Sequence, residues 1–374
     1  MTASKSSSRT VPDERIPVAL LGATGSVGQR FIELLSDHPW FRLAVVTASE
    51  RSAGRPYGEA AHWLQSSPLP PAVAKMTVRP TTPDAVADCA LVFSALDAAA
   101  ALEAEAALAD AGHWVVSNAK SHRMAPDVPL LVPEINPEHL ELAAHQDRSG
   151  AILTNPNCST IGLTLALGPL DRAFGVEQAH VVTLQALSGA GVPGVPSMQA
   201  LDNVVPFIGG EEDKLENEPA KILGRYRDGA IEPHRIRVSA HANRVAVVDG
   251  HTLCVSVKLR DEASEDEVRE AWESFRGEPQ DRRLPSAPEQ PVHYLPEDDA
   301  PQPRLHRDLD RGMAASVGRL RPCPLLDYKF VTLSHNTLRG AAGGALLVAE
   351  LAAARGLIPG LDASRLDAQE RPED

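Results

Sequence analysis

The sequence predicts an α/β chain of two domains, a doubly wound parallel sheet first and a second α/β domain on a mixed sheet after it. Three observations carry this. Short apolar runs alternate with helical patterns over residues 16–117, as parallel strands joined by crossover helices do. A glycine-rich turn, Gly22-Ala23-Thr24-Gly25-Ser26-Val27-Gly28, directly follows the first apolar run. Beyond residue 158 the apolar runs lengthen and one alternates strictly, which marks strands with one buried and one open face.

Taken in order, residues 16–21 (IPVALL) read as a strand, 22–28 as its turn and 29–35 as a helix at 3.6-residue spacing. Residues 41–47 (FRLAVVT) and 90–95 (ALVFSA) are the next strands, and alanine-rich 98–111 is a helix leading to strand 113–117 (HWVVS). Residues 161–170 form an apolar helix that opens just after Asn155-Pro156-Asn157-Cys158-Ser159-Thr160. Strand-like runs follow at 179–187, 235–240 and 251–259 (HTLCVSVKL). The stretch 278–307 is rich in Pro, Asp, Glu and Arg without a period and predicts a surface loop. Residues 340–354 (GAAGGALLVAELAAA) are a helix, polar 362–374 should fray, and the serine-rich start predicts a disordered tail over 1–14.

Composition bounds the function. A chain of 374 residues, 43% hydrophobic, is large enough for two cores. Its net charge of -14 disfavours nucleic acid as a partner. No window approaches the roughly 18 apolar residues of a membrane span, and no apolar core follows the basic, serine-rich start as a signal peptide would require. Cys89, Cys158, Cys254 and Cys323 show no paired spacing, which argues against a disulfide framework or a zinc site and fits a reducing, cytoplasmic setting.

The glycines at 22, 25 and 28 lie one position off the commonest dinucleotide fingerprint, yet directly after the first strand. Glycine there lets the backbone turn tightly and admits a pyrophosphate to the helix N-terminus. Gly22, Thr24, Gly25, Ser26, Val27 and Gly28 are therefore the candidate cofactor turn of a Rossmann-type domain. The second strand ends Thr47-Ala48-Ser49-Glu50-Arg51-Ser52. Hydroxyls and an arginine suit a ribose 2′-phosphate, so Ser49, Arg51 and Ser52 favour NADP over NAD.

Cys158 stands at the first turn of its helix, where the peptide dipole and free N–H groups favour thiolate over thiol. A free cysteine is more often a small buried hydrophobe, and a nucleophile needs a base. Of thirteen histidines, His251 stands out. It follows Asp249-Gly250 at the head of the alternating strand, seven residues after Arg244. Sequence spacing alone does not bring it to Cys158.

Six ordered segments, the glycine turn at 22–28, AKSHRM at 119–124, NPNCST at 155–160, LQALSGAG at 184–191, NRVAVVDGHT at 243–252 and SHNTLRGAAGG at 334–344, resemble the aspartate-semialdehyde dehydrogenase family in its archaeal and fungal branch. The resemblance implies NADP, a cysteine-bound thioacyl intermediate, and interconversion of aspartate semialdehyde plus phosphate with aspartyl phosphate. It makes Cys158 the nucleophile, His251 the general acid/base and Gln185 the orienting amide. Arg244 would grip the substrate carboxylate as a bidentate fork, and Arg123 with Asn157 would take phosphate. Glu218 and Lys221 would hold the substrate ammonium and phosphate, with Glu211, Glu212 and Lys214 a competing alignment. Ser94, Ser188, Gly189 and Asn336 would add cofactor contacts. It also implies a cofactor domain over 15–157 completed by 335–360, a catalytic and dimerisation domain over 158–334, and a homodimer or homotetramer. The stretch 296–303 matches nothing diagnostic. Related readings are malonyl-CoA reductase or N-acetyl-glutamyl-phosphate reductase chemistry; a different class is a silent NADP-binding paralogue, which the joint presence of Cys158, Gln185, Arg244 and His251 disfavours.

Overall fold

The computed structural model describes residues 15–359; the predicted tail over 1–14, the fraying segment 362–374 and the last residue of 335–360 lie outside them. Thirteen strands fall into three sheets among the described residues. β1 (Ile16–Leu21), β2 (Phe41–Val46), β3 (Leu91–Ser94), β4 (Trp114–Ser117) and β5 (Ala151–Thr154) form one parallel sheet in the order β2-β1-β3-β4-β5. The chain leaves β1 for β2 on one side and returns to β3 on the other. The carboxyl ends of β1 and β3 thus flank a topological switch point, the usual ligand crevice of such sheets. β3 and β4 are buried at every position, which is why they read as continuous apolar runs without alternation.

The second sheet uses β6 (Val176–Gln185), β9 (Arg237–Arg244), β10 (His251–Leu259), β11 (Val292–Leu295), β12 (Ala315–Pro322) and β13 (Tyr328–Ser334), in the order β11-β12-β13-β10-β6-β9. The central pairings are antiparallel, whereas β6 with β9 and β11 with β12 run parallel, so the sheet is mixed as the sequence predicts. β7 (Arg225–Arg227) and β8 (Ala230–Glu232) make a separate hairpin. One face of the large sheet packs on the helix Cys158–Phe174 through Ile161, Leu165, Val181, Val255 and Trp272, and Trp272 donates from Nε1 to the Ala166 carbonyl at 2.8 Å. The other face leaves His180, Arg237 and Cys254 exposed.

The helix Gly343–Ala354 is buried through Ala353 and packs in one core with Val18, Leu20, Phe93 and Val116 of the first sheet. A helix apolar on all sides belongs inside a protein. Its one charge, Glu350, accepts from the Ser286 amide at 2.9 Å and contacts His38 Nε2 at 2.9 Å, so the buried carboxylate is satisfied.

The segment 278–307 departs from the surface loop expected. Val292–Leu295 is strand β11 on the sheet edge, and Leu284 and Ala287 are buried in the first core. A four-residue strand between prolines offers too few positions for a period to show. Residues 296–299 stand exposed, as do Asp281, Arg282, Arg283, Glu289, Arg304 and Leu305. Strands β5, β7, β8, β12 and β13 are likewise absent from the sequence reading, β7 and β8 because three residues each leave no period to see.

Candidate active site

The register of the second sheet assembles the cleft. β6 and β9 run parallel and end together, with Gln185 paired to Arg244. β10 runs antiparallel to both its neighbours, so its first residue, His251, arrives at the same sheet end and pairs with Ser334, the last residue of β13. Four motifs far apart in sequence therefore meet at one edge, followed by the turn Leu187–Ala190 and by Asn336.

Asn157 caps the helix Cys158–Phe174, its side-chain oxygen accepting from the Ser159 and Thr160 amides at 3.0 and 3.2 Å. Cys158 is half-buried, its Cβ pressed against Gly340, where any added Cβ would lie 2.7 Å away. The sequence predicts a thiol tilted toward thiolate; the site does the reverse. Burial and the neighbouring Glu211 carboxylate push the thiol up to about 12, outweighing Lys214, Arg123 and the Ser159 amide. The Asn157 cap shares the Ser159 amide with the thiol and takes the Thr160 amide, which weakens the pull of the helix start toward the anion.

Glu211 is the hub. It is buried and accepts from Asn157 Nδ2 at 2.7 Å, Gln185 Nε2 at 3.3 Å and Lys214 Nζ at 2.8 Å. Lys214 holds its carboxyl below the usual range against the opposing effect of burial. Glu218, two turns along the helix Glu211–Ile222, accepts from Arg123 Nη1 at 2.9 Å and from the Asn157 amide at 2.8 Å. Lys221 donates all three ammonium protons to the carbonyls of Arg123, Ala125 and Val128, each at 2.7 Å. That geometry departs from the phosphate contact expected of Lys221: its donors are consumed in holding the 123–128 turn, and burial lowers it to about 8. Glu212 accepts from the Ala242 amide at 2.9 Å and is likewise structural.

Arg244 spends Nη1 on the Ala186 carbonyl at 2.6 Å, leaving the rest of its fork to the cleft, where burial lowers its pKa against the opposing pull of Cys158 and Glu211. His251 is fully buried and its Nδ1 accepts from the Ala186 amide at 3.1 Å. Burial lowers it to about 3. Gly189 fits between these two: a Cβ there would sit 3.0 Å from Arg244 Nη1 and 3.2 Å from the His251 ring. Asn336 donates to Ser188 Oγ and accepts from the Gly250 amide, both at 2.8 Å, tying the turn to the strand that carries His251.

The glycine turn lies at the carboxyl end of β1. Gly22 has φ +69°, and a Cβ on it would meet the Ala95 carbonyl at 2.6 Å; one on Gly28 would meet the Gly22 carbonyl at 2.4 Å. Glycine is required at both, and the cradle they form suits a dinucleotide pyrophosphate at the helix Ser26–Leu35. Gly25 caps that helix, with Thr24 in the turn before it and Ser26 and Val27 its first two residues. Ser49 and Arg51 are exposed and Ser52 half-buried beyond β2, while Ser94 ends β3. A Cβ on Gly191 would come within 4.0 Å of Ser26 Oγ, so the loop after the turn at 187–190 reaches across to the glycine turn. Neither the close approach of Gly340 nor the hub role of Glu211 is legible in the sequence; a glycine shortly after Ser334-His335-Asn336-Thr337 signals close approach only once the neighbour is known.

Two family models match the chain. Residues 17–143 match the NAD binding domain of semialdehyde dehydrogenases, and residues 167–339 match their dimerisation domain. Fold and site thus define a semialdehyde dehydrogenase. Aspartate-semialdehyde dehydrogenase of Methanothermobacter thermautotrophicus is 51% identical over 90% of this chain and 98% of that protein, and that of Saccharomyces cerevisiae 46% identical over 91% and 98%. The crystal structure of the Candida albicans enzyme with NADP superposes with a TM-score of 0.86 at 43% identity, covering 92% of this chain and all of that one. The chain belongs to the aspartate-semialdehyde dehydrogenase family.

Proposed function

We propose that this chain interconverts aspartate 4-semialdehyde, phosphate and NADP+ with 4-phosphoaspartate and NADPH, on the route to lysine, methionine and threonine. The carrying observation is the convergence of Cys158, Gln185, Arg244 and His251 on one sheet end, around buried Glu211. Residues 15–157 with 335–360 would carry the cofactor and 158–334 the chemistry and the dimer contact. NADP would lie on Gly22, Thr24, Gly25, Ser26, Val27 and Gly28, with its 2′-phosphate at Ser49, Arg51 and Ser52 and further contacts at Ser94, Ser188, Gly189 and Asn336. Bound there, it supplies or accepts the hydride.

In the reductive direction Cys158 attacks the acyl phosphate and forms a thioester, dividing one difficult step into two. Arg244 takes the α-carboxylate as a fork. Glu211 faces the ammonium and Lys214, with Arg123 and Asn157, the phosphate. This assignment replaces Glu218 and Lys221, which act as the clamp beneath them. Gln185 orients the acyl group, and His251 serves as the general acid/base. A second copy packing on the open sheet face around Cys254 would give the homodimer, alone or as half of a tetramer. The reducing cytoplasm suits a thiol that must stay unoxidised.

Phosphate-dependent reduction of NADP, assayed with aspartate semialdehyde beside malonate semialdehyde, tests the reading. Turnover of the first alone is expected, and its loss in Cys158→Ala with NADP binding intact. Turnover of malonate semialdehyde instead would reassign the substrate, and full activity in Cys158→Ala would remove the thioester.

A further inference from the structure

Strand β9 ends the second sheet, with β6 on its inner side and no strand on its outer side. Its outward amides nevertheless have acceptors at three alternate positions. Ala240 N–H donates to Glu216 Oε1 at 3.0 Å, Ala242 N–H to Glu212 Oε1 at 2.9 Å, and Arg244 N–H to the Val205 carbonyl at 2.9 Å. Two of these acceptors are carboxylates of the helix Glu211–Ile222. The spacings agree, since side chains four apart on a helix lie about 5–6 Å from one another and amides two apart on a strand about 6.6 Å. Glu212 meets the later strand residue and Glu216 the earlier one, so helix and strand run in opposite directions. An open strand edge is a template for another strand; here it docks a helix. The place of the dock matters because of its neighbours in the chain. Glu212 follows Glu211, the proposed partner of the substrate ammonium, and Ala242 lies two residues before Arg244, the proposed grip on the α-carboxylate. The Glu212–Ala242 bond thus ties the backbone that carries one group to the backbone that carries the other. The far end of the helix is held separately, by Glu218 on Arg123 and by Lys221 on three carbonyls.

We propose that Glu212 is a positioning residue for amino-acid specificity: by accepting from the Ala242 amide it sets the separation of Glu211 and Arg244, so that the site takes a substrate bearing both an ammonium and an α-carboxylate. The proposal rests on the roles given to Glu211 and Arg244 in the preceding subsection. Ammonium and carboxylate share one carbon of an α-amino acid, so both are met only when their binders stand at one separation. A shift of the near end of the helix moves Glu211 and leaves Arg244, which the Val205 main chain holds from both its N–H and its carbonyl, at 2.9 and 3.0 Å. A substrate without the ammonium needs Arg244 alone and does not sense that shift. Glu212 touches no substrate. It contributes an acceptor oxygen at the full length of its side chain, so glutamine serves in its place, whereas aspartate, one methylene shorter, does not reach the amide.

The test compares kcat/KM for aspartate semialdehyde with the inhibition constant of succinate semialdehyde, which keeps the carboxylate and the aldehyde and lacks the ammonium. In Glu212→Ala the first should fall about tenfold, the scale of one lost charge-assisted hydrogen bond to the substrate, while the second stays within about twofold and NADP binds as in wild type. Glu212→Asp should match Glu212→Ala, and it carries the test should Glu212→Ala not fold. Glu212→Gln should stay within about threefold of wild type, because a neutral acceptor bond is roughly half as strong as a charged one. Glu216→Ala, one turn farther from Glu211, should lower the melting temperature and leave both kinetic values in place. Equal losses for the two aldehydes would make Glu212 a packing residue only, and a Glu212→Gln variant as impaired as Glu212→Ala would remove the acceptor role; either result overturns the proposal. A wild-type enzyme that does not turn over aspartate semialdehyde refutes the functional reading, whereas wild-type turnover with an unmoved ratio between the two aldehydes in Glu212→Ala and Glu212→Asp refutes this proposal alone.

Discussion

Replacing Gly340 with alanine would place a methyl carbon 2.7 Å from the Cβ of Cys158 and 3.1 Å from its Cα. Unstrained carbon contacts lie at about 3.5–4.0 Å, so one element must retreat by about 1 Å. Neither side yields easily. The helix behind Cys158 is buried from Ser159 to Leu170, and residues 339–342 are buried in a π-helical turn. Overpacking of this kind costs about 1–3 kcal/mol. Alanine in place of glycine in a helical backbone returns up to about 1 kcal/mol. The net destabilisation is therefore small beside the effect on geometry, since a displacement of about 1 Å at a reacting atom costs on the order of 10²-fold in rate. Gly340→Ala is expected to fold, to melt at most a few degrees lower and to bind NADP normally. It should lose about 10²-fold in kcat/KM for aspartate semialdehyde, with slower alkylation of Cys158 by iodoacetamide. A variant within twofold of wild type in kcat/KM would show that the thiol is not seated by this contact.

Three other outcomes follow from the same structure. Glu211→Gln removes an anion that raises the Cys158 pKa, so the pH midpoint for iodoacetamide inactivation should move down; an unchanged or higher midpoint contradicts the hub geometry. Gly28→Ala drives a methyl group into the Gly22 carbonyl at 2.4 Å and should abolish NADP binding by calorimetry, and retained affinity would place the cofactor elsewhere. His139 is buried, and burial lowers its folded pKa to about 4, against about 6.5 in the unfolded chain. The unfolded state binds the proton first, so stability is lost as pH falls from about 6.5 through about 4. His139→Gln should flatten that stretch of a urea-denaturation profile, and an unaltered slope would remove His139 as a contributor.

The helix Glu211–Ile222 shows where sequence reading stops. It carries the same glutamate–lysine pair at i, i+3 twice, as Glu211 with Lys214 and Glu218 with Lys221. Seven residues is almost two turns, so both pairs lie on one face, and periodicity favours neither. They differ by about 10 Å along the axis, and only the docking of that helix against the Asn157 cap decides that Glu211 approaches the thiol while Lys221 turns to three carbonyls.

The thiol marks the same limit in energetic terms. Its place at a helix start is plain in the string Asn157-Cys158-Ser159, yet whether it rests as thiol or thiolate depends on desolvation and on a carboxylate 53 positions away at Glu211. Local order in the chain was sufficient for the glycine turn, the alternating strand β10 and the apolar helices, because backbone sterics and hydrophobic period act over a few residues. Tertiary structure alone decided the register that brings Gln185, Arg244 and His251 to one sheet end, the Ala186 amide that hydrogen-bonds His251 Nδ1, and the burial that raises the Cys158 thiol. Those depend on contacts across the chain, and desolvation is a property of the surroundings that no residue carries in its own identity.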